Sequence, residues 1–213
     1  MPKSSKDFDL LVWVKDNYLF VVILFLTLYL LFAFLAPVLM EIGHPEASKI
    51  IYRAYSNLCH QYAYRSWFLF GEQAHYPLVR SDGLLSLFDY FDVSQQHPEF
   101  SREIIGNERA GYKVAICQRD VALYAALLLS SIIFILTKKR IKRLPFSLWI
   151  LLAVLPIGMD GLLQLASSSD IFSITYESTP LMRTITGTMF GLFSGWLLFP
   201  AIQQTITNEK RDQ

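Results

Sequence analysis

The sequence predicts an all-α integral membrane protein, a bundle of four transmembrane helices with an outer amphipathic helix and a loop-rich extracytoplasmic insert. Of the 213 residues, 53% are hydrophobic and 15% are aromatic, as in a membrane protein. Four apolar runs approach the roughly 20 residues that a helix needs to cross the hydrocarbon core. The formal net charge of +1 lacks the surplus of Lys and Arg that nucleic-acid binding requires. We therefore expect one polytopic domain over residues 1–213, with the lipid bilayer as its partner and no nucleic-acid partner.

The first apolar run, Leu19 to Met40, contains no charged residue and is the clearest span. It is too long for the apolar core of a cleaved signal peptide, and residues 1–18 precede it, so we expect it to be retained. The other three runs carry polar residues near one end. The predicted spans cover residues 19–40, 116–137, 146–168 and 181–204.

Basic residues predict the orientation of the four spans. The loop between the second and third spans carries the only dense group, which consists of Lys138, Lys139, Arg140, Lys142 and Arg143. The positive-inside rule places such a loop in the cytoplasm. By alternation both termini are cytoplasmic and residues 41–115 are extracytoplasmic.

The extracytoplasmic segment divides into two parts. Ile51, Tyr55, Leu58 and Tyr62 follow one another at helical spacing, which predicts an amphipathic helix at the membrane interface that ends near Gly71. Residues 72–113 contain several Pro and Gly among polar residues. This composition predicts loops with one or two short helices.

Polar residues recur at one level of the predicted bundle, near its outer end. Cys117, Asp120 and Tyr124 are spaced i, i+3 and i+7, so they share one face of the second span. Asp160 and Gln164 lie one helical turn apart in the third span. An ionisable group at such a depth faces the bundle interior and needs a partner, which makes it a functional-site hypothesis.

Arginines at the same level offer partners for these carboxylates. Asp120 and Asp160 can pair with any of three predicted neighbours, namely Arg65, Arg119 and Arg183. The arginines would then stabilise helix packing. Alternatively they bind an anionic ligand such as a lipid head group, because a guanidinium donates two hydrogen bonds to a phosphate or carboxylate. Gln61 lies four residues before Arg65 and could present an amide to the same ligand. Both readings stay open.

Two cysteines, Cys59 and Cys117, are predicted to face the extracytoplasmic side, where they could meet. One alternative is a disulfide, which an oxidising compartment permits. A second is a metal site, with zinc as the candidate, in which Cys59, His60 and Cys117 are ligands and Asp120 or Asp160 completes the set. A third alternative is a pair of free thiols.

Small residues recur every fourth position in the fourth span. Gly187, Gly191 and Gly195 form a stripe that lets a second helix approach closely. We expect this stripe to pack within the monomer, with a homo-oligomer interface as the alternative.

Four short motifs follow one another along the chain. They are CHQ followed by RS (59–61, 65–66), C-x-R-D with a later Tyr (117–124), P-x-x-x-D-G-x-x-Q (156–164) and S-x-x-x-x-R-x-x-T-G (178–187). This ordered set resembles the family of prokaryotic membrane proteins known as domain of unknown function 2085. The insert after the CHQ motif is longer than the usual link of that family, and Ile116 to Ala122 holds a single cysteine. The resemblance implies a membrane protein, with the inner membrane of a prokaryotic cell as its location, and no particular activity.

The residue types together lead to two hypotheses for the function. In the first, the outer pocket is a metal-dependent or lipid-head-group-acting enzyme with Asp160, Asp120 and His60 as acid and base groups. The ligand would be positioned by Gln61, Arg65, Arg119, Tyr124, Gln164 and Arg183. In the second, the protein is a disulfide-clipped accessory subunit of a membrane complex, or a small transporter. No serine-hydrolase elbow, zincin motif or nucleotide-binding loop occurs in the sequence.

Overall fold

The computed structural model describes residues 10–80, 83–91, 98–168 and 176–211. Four helical segments in it are long and apolar enough to cross a membrane. They are helix α2 (Tyr18–Glu41), helix α4 (Gln118–Leu136), a composite helix from Phe146 to Ser168, and helix α7 (Pro180–Arg211). Two further helices are α1 (Leu10–Asp16) before the first span and α3 (Pro45–Tyr55) after it. The described part of the chain is thus mainly a four-helix membrane bundle.

Two of the four predicted spans have different ends in the structure. Helix α4 begins at Gln118 because residues 111–117 form a β-strand that leads into it. Helix α7 continues to Arg211, beyond the predicted end at residue 204. Its last turns are polar and end in Lys210 and Arg211, which favours the helix C-terminus through the macrodipole.

The third span is a composite of helix α5 (Phe146–Trp149), a π-helical turn (Ile150–Val154) and helix α6 (Leu155–Ser168). Pro156 lies two residues after the last residue of the π turn. Since proline has no N–H to donate, it interrupts the regular hydrogen-bond ladder in the preceding turn. The Trp149 indole donates to Ser194 Oγ at 3.0 Å and ties this irregular segment to α7.

Helices α4 and α7 are in close backbone contact along the glycine stripe. A Cβ atom at Gly187 would lie 2.5 Å from the Arg119 carbonyl oxygen, and one at Gly191 would lie 2.2 Å from that of Leu123. At Gly195 the added atom would lie 2.3 Å from Ser130 Oγ. The predicted packing role of the glycines within the monomer is therefore confirmed.

Helix α1, the basic loop and the last turns of helix α7 lie at one end of the bundle. Lys15 pairs with Glu209 at 2.8 Å, and Lys210 pairs with Asp16 at 2.7 Å. The Lys139 ammonium lies 5.6 Å from the centre of the Tyr18 ring. We call this the basic end and the opposite one the outer end, following the predicted orientation.

The amphipathic helix is shorter than the sequence pattern predicts. Helix α3 ends at Tyr55, and Gly71 ends no helix. The chain turns at Gln61, whose φ of 55° is left-handed, and then forms a 3₁₀ turn (Ala63–Arg65) and strand β1 (Ser66–Leu69). The helical periodicity is correct for Ile51 and Tyr55 and wrong for Leu58 and Tyr62, which lie in the turn between α3 and β1.

A small antiparallel sheet, which the all-α prediction did not include, covers the outer end. Its strands are β1, β2 (Gly106–Asn107) and β3 (Gly111–Cys117), in the order β1-β3-β2. Buried residues of β3 pack with Ala33 and Ala36 of helix α2. The short helices expected in the insert are two 3₁₀ helices, Leu87–Asp89 and Pro98–Arg102. The sheet thus joins the insert to the bundle.

We predict that Gly191→Ala lowers the thermal unfolding temperature of the detergent-solubilised protein, because the new methyl group would meet the α4 backbone. Overpacking of this kind costs about 1–3 kcal/mol. Gly158→Ala is the matched control, since a Cβ at Gly158 meets no atom within 4 Å. This control should be neutral or slightly stabilising. Equal effects of the two substitutions would contradict close α4–α7 packing.

Candidate functional site at the outer end

Two groups of polar side chains lie at the outer end. The first, which we call the thiol cluster, consists of Cys59, Cys117 and Asp120. The second, the arginine network, joins three arginines to two carboxylates. It consists of Arg65, Arg119, Arg183, Asp160 and Glu177.

The thiol cluster brings together residues from distant parts of the sequence. The two Sγ atoms and a carboxylate oxygen of Asp120 all lie within 4.8 Å of one another. No disulfide joins Cys59 and Cys117, and Cys59 is 9% exposed. Two thiol sulfurs and one carboxylate oxygen therefore form a compact, largely buried set of potential ligand atoms.

The junction between β3 and α4 explains the position of two members of the cluster. Cys117 is the last residue of the strand and the N-cap of the helix, and its sulfur accepts from the Asp120 N–H at 3.5 Å. Asp120 lies in the first turn of α4. Negative charge at this place is stabilised by the helix macrodipole.

Cys59 reaches the cluster from the turn after α3. Its backbone N–H donates to the Tyr55 carbonyl at 2.9 Å, and the side chain packs in the core beside Val114, Ala115 and Ile116. A hydrogen bond from the Cys117 thiol lowers the pKa of Cys59. The same bond, together with burial, raises the pKa of Cys117 well above its ordinary value. The first thiolate to form therefore belongs to Cys59.

A buried lysine beside the cluster was not found from the sequence. Lys113 of β3 is fully buried, and its ammonium donates to the carbonyl oxygens of Gln61 and Arg102, both at 2.7 Å. Burial lowers the pKa of Lys113 to about 7, and the nearby Cys59 opposes this shift. Recognising GYKVAIC as a strand would have drawn attention to a lysine in its middle.

Two of the predicted ligands lie outside the cluster. His60 is exposed, and its ring stacks against that of Tyr62 with a centroid separation of 5.7 Å. Gln61 is 5% exposed, and its amide donates to the carbonyl oxygens of Tyr52 and Ala115, each at 2.9 Å. Adjacent residues in a turn point apart, so His60 is separated from Cys59 despite its place in the sequence.

Tyr124 lies on the same face of α4 as Asp120, as its spacing predicts. Its ring contacts that of Tyr29 in α2, with a centroid separation of 4.6 Å. Tyr29 in turn contacts the Tyr55 ring at 5.0 Å. These aromatic rings link α2, α3 and α4 immediately next to the thiol cluster.

Asp160 is the centre of the first half of the arginine network. This carboxylate is 4% exposed and pairs with the Arg119 guanidinium across the α4–α6 contact. It also accepts from Tyr176 Oη at 2.6 Å, Ser178 Oγ at 3.0 Å and the Gln164 amide at 3.3 Å. Four donors satisfy the buried charge, so Asp160 ties three separate segments together.

Glu177 is the centre of the second half. It accepts from Arg65 at 3.0 and 3.1 Å and from Arg183, which is 2% exposed. Arg183 also donates to Gln118 Oε1 at 3.1 Å. Glu177 and Gln118 were not identified from the sequence. The short predicted link before the fourth span gave no reason to choose Glu177 over its neighbours.

The network has more cationic than anionic groups. Three guanidinium groups face two carboxylates, and the buried Nε atoms of Arg119 and Arg183 make no hydrogen bond within the described residues. A cavity of about 280 Å³ adjoins the network, and its lining includes Tyr64, His75, Arg183 and the Glu177 carboxylate that pairs with Arg183. The arrangement could accept an anion.

We predict that Asp160→Asn destabilises the protein, because it leaves the Arg119 guanidinium without its buried counter-charge. Breaking such a pair costs about 3 kcal/mol. Thermal unfolding in detergent measures the effect. The control Glu72→Gln removes a carboxylate from an exposed pair with Arg109 and should change stability little. Unchanged stability of Asp160→Asn would contradict a structural role for this carboxylate.

Comparisons with known proteins agree with the membrane fold. The family model described as "Predicted membrane protein (DUF2085)" matches residues 97–197. The uncharacterized protein MJ1492 of Methanocaldococcus jannaschii is 26% identical over 199 residues, which cover 91% of this chain and 97% of the relative. No solved structure matches the chain.

The matched residues include three of the four motifs that carry the resemblance, and the CHQ motif at residues 59–61 lies before them. The match also includes Cys117, Asp120 and the ion pair between Arg119 and Asp160. Over residues 97–197 the chain therefore carries the pattern of the DUF2085 family of predicted membrane proteins, which confirms the resemblance that its motifs indicate.

Proposed function

We propose that the protein binds a thiophilic transition-metal ion, of the zinc class, at the outer end of its membrane bundle. The ligands are Cys59 Sγ, Cys117 Sγ and a carboxylate oxygen of Asp120. The observation that carries the proposal is the mutual distance of these three atoms, all within 4.8 Å.

The distances suit a tetrahedral ion. With metal–sulfur bonds of about 2.3 Å, two sulfurs bound to one zinc lie about 3.8 Å apart, so small side-chain rotations suffice to close the site. Thiolates select zinc and other thiophilic metals over magnesium and calcium. His60, exposed on the neighbouring surface, is not needed as a ligand.

Three protein ligands leave one position of a tetrahedral site open. Such a position holds water or substrate in catalytic zinc centres, whereas structural centres are closed by four protein ligands. The open position supports hydrolysis as the reaction class, at the extracytoplasmic surface of the membrane. Asp160 then acts as a positioning residue through Arg119, which is the sequence neighbour of Asp120.

We predict about one zinc per chain after the detergent-purified protein is loaded with zinc and passed over a weak chelator. Cys59→Ser, Cys117→Ser and Asp120→Asn should each reduce the bound zinc at least tenfold, because each removes one of three ligands. Elemental analysis provides the measurement, and size-exclusion chromatography shows whether each variant is folded.

Two controls test the choice of ligands. His60→Ala removes the histidine next to Cys59 and should retain zinc, and Asp89→Asn removes a carboxylate of the insert and should retain it as well. A thiol count under denaturing conditions without reductant completes the test. Absence of zinc together with two blocked thiols would identify a disulfide and overturn the metal proposal in favour of the accessory-subunit alternative.

A second candidate function is binding of a phosphate or carboxylate group in the cavity next to Arg183. The observation in its favour is Arg183, which lines this cavity and whose buried Nε has no hydrogen-bond partner among the described residues. Arginine binds such anions through paired hydrogen bonds. A lipid head group or a soluble phosphate ester has the required chemistry.

We predict that glycerol phosphate raises the unfolding temperature of the purified protein, because a ligand that binds only the folded state stabilises it. Arg183→Lys keeps the charge and removes the unpaired Nε, so it should abolish the increase. Arg80→Lys, in an exposed ion pair of the insert, is the control and should retain it. An identical increase in both variants would count against this site.

A further inference from the structure

A second cavity lies at the basic end, away from both clusters. It has a volume of about 360 Å³ and is lined by cationic and amide side chains that include Lys139, Arg140, Lys142, Gln203 and Arg211. No acidic residue lines it, and none of its four cationic residues takes part in an ion pair within the described part of the chain. The charge in this cleft therefore lacks a counter-ion from the protein.

An apolar cleft lies next to this cavity, in the membrane-spanning part of the bundle. It has a volume of about 310 Å³ between α4 and α7 and is lined by residues such as Ile133, Phe134, Leu192 and Phe193. Apart from Ser130, its lining side chains are apolar or aromatic, or a glycine. A hydrocarbon chain is the ligand that such a cleft accommodates within a bilayer.

The two clefts adjoin each other, because Ile141 and Pro200 line both of them. Trp196 stands at the junction, and its indole N–H donates to the Lys142 carbonyl at 3.0 Å. Tryptophan at this height is typical of the boundary between hydrocarbon and head groups. The cationic cleft at the basic end thus lies next to an apolar cleft, in the same order as the head group and the acyl chains of a phospholipid.

We propose that the combined cleft binds one anionic phospholipid of the leaflet at the basic end, with its phosphate among Lys139, Arg140, Lys142 and Arg211 and one acyl chain between α4 and α7. Basic pockets between transmembrane helices bind anionic head groups on the cytoplasmic side of membranes. The side chains of Gln203 and Gln204 also line this cavity, where the glycerol part would lie. This site is independent of the proposed metal site.

The backbone of the loop brings its basic residues to the cleft. Lys138 and Lys139 both have a left-handed conformation, with φ of 55° and 58°. Their N–H groups donate to the last carbonyls of α4, from Ile135 and Phe134, at 2.8 and 2.9 Å. This tight reversal returns the loop to the bundle, so that Lys139 lies beside the cleft.

The test uses the full-length protein in phosphatidylcholine vesicles that contain increasing fractions of brominated phosphatidylglycerol. Bromine quenches nearby tryptophan, and the signal of Trp196 is obtained as the difference from Trp196→Phe. We expect brominated phosphatidylglycerol to occupy the site at least tenfold more tightly than brominated phosphatidylcholine, because each basic residue near the surface contributes roughly fivefold.

Two double variants of equal charge separate a site from a charged surface. Lys139→Gln with Lys142→Gln removes two residues of the cleft and should reduce the preference for phosphatidylglycerol about tenfold or more. Lys138→Gln with Arg143→Gln removes two residues of the same loop that do not line the cleft, and should retain the preference within about twofold.

Three results would overturn the proposal. The first is quenching of the wild-type protein by the anionic lipid that is no stronger than quenching by brominated phosphatidylcholine. The second is an equal loss of the preference in both double variants, as a diffuse surface charge predicts. The third is displacement of the lipid by glycerol phosphate at equal concentration, because the apolar cleft would then contribute nothing. Loss confined to the cleft variant, with no displacement by glycerol phosphate, supports a phospholipid site.

Discussion

A buried charge within a membrane bundle must find its partner in the protein, because hydrocarbon offers none. Asp160 shows how this requirement shapes the outer end. Its carboxylate is 4% exposed and accepts from Arg119, Gln164, Tyr176 and Ser178, which belong to three separate segments. The chain before α7 is thereby held against α4 and α6. Glu177, next in sequence to Ser178, is placed by the same connection to receive Arg65 and Arg183.

The thiol cluster depends on the strand that precedes α4. Because strand β3 leads directly into helix α4, Cys117 is both the last residue of the strand and the N-cap of the helix, and Asp120 follows in the first helical turn. Cys59 approaches from a turn that the buried Gln61 holds in place by bonds to the Tyr52 and Ala115 carbonyls. Both halves of the cluster are therefore supported by backbone hydrogen bonds, which favours a preorganised ligand set.

The two ends of the bundle differ in how their cations are satisfied. At the outer end, arginines meet carboxylates within the protein, with a small surplus of positive charge. At the basic end, the loop residues that line the cleft have no carboxylate there. Close contact of α4 with α7 along the glycines connects the two ends, since it brings Arg119 near Gly187 and Ser130 near Gly195. The apolar cleft lies between the same two helices.

The sequence alone determined the membrane class, the four helices and the level of the polar residues, because these follow from local composition and from helical spacing in a solvent that excludes charge. It also identified Cys59, Cys117, Asp120, Arg119 and Asp160 as candidates. Which of these residues come together was decided only by the tertiary structure. His60 adjoins Cys59 in sequence but faces away, while Lys113 reaches the thiol cluster through strand pairing and Glu177 reaches the arginine network from the segment before α7. Residue spacing specifies neighbours within one helix, whereas the sheet and the turns that join helices depend on contacts between distant segments.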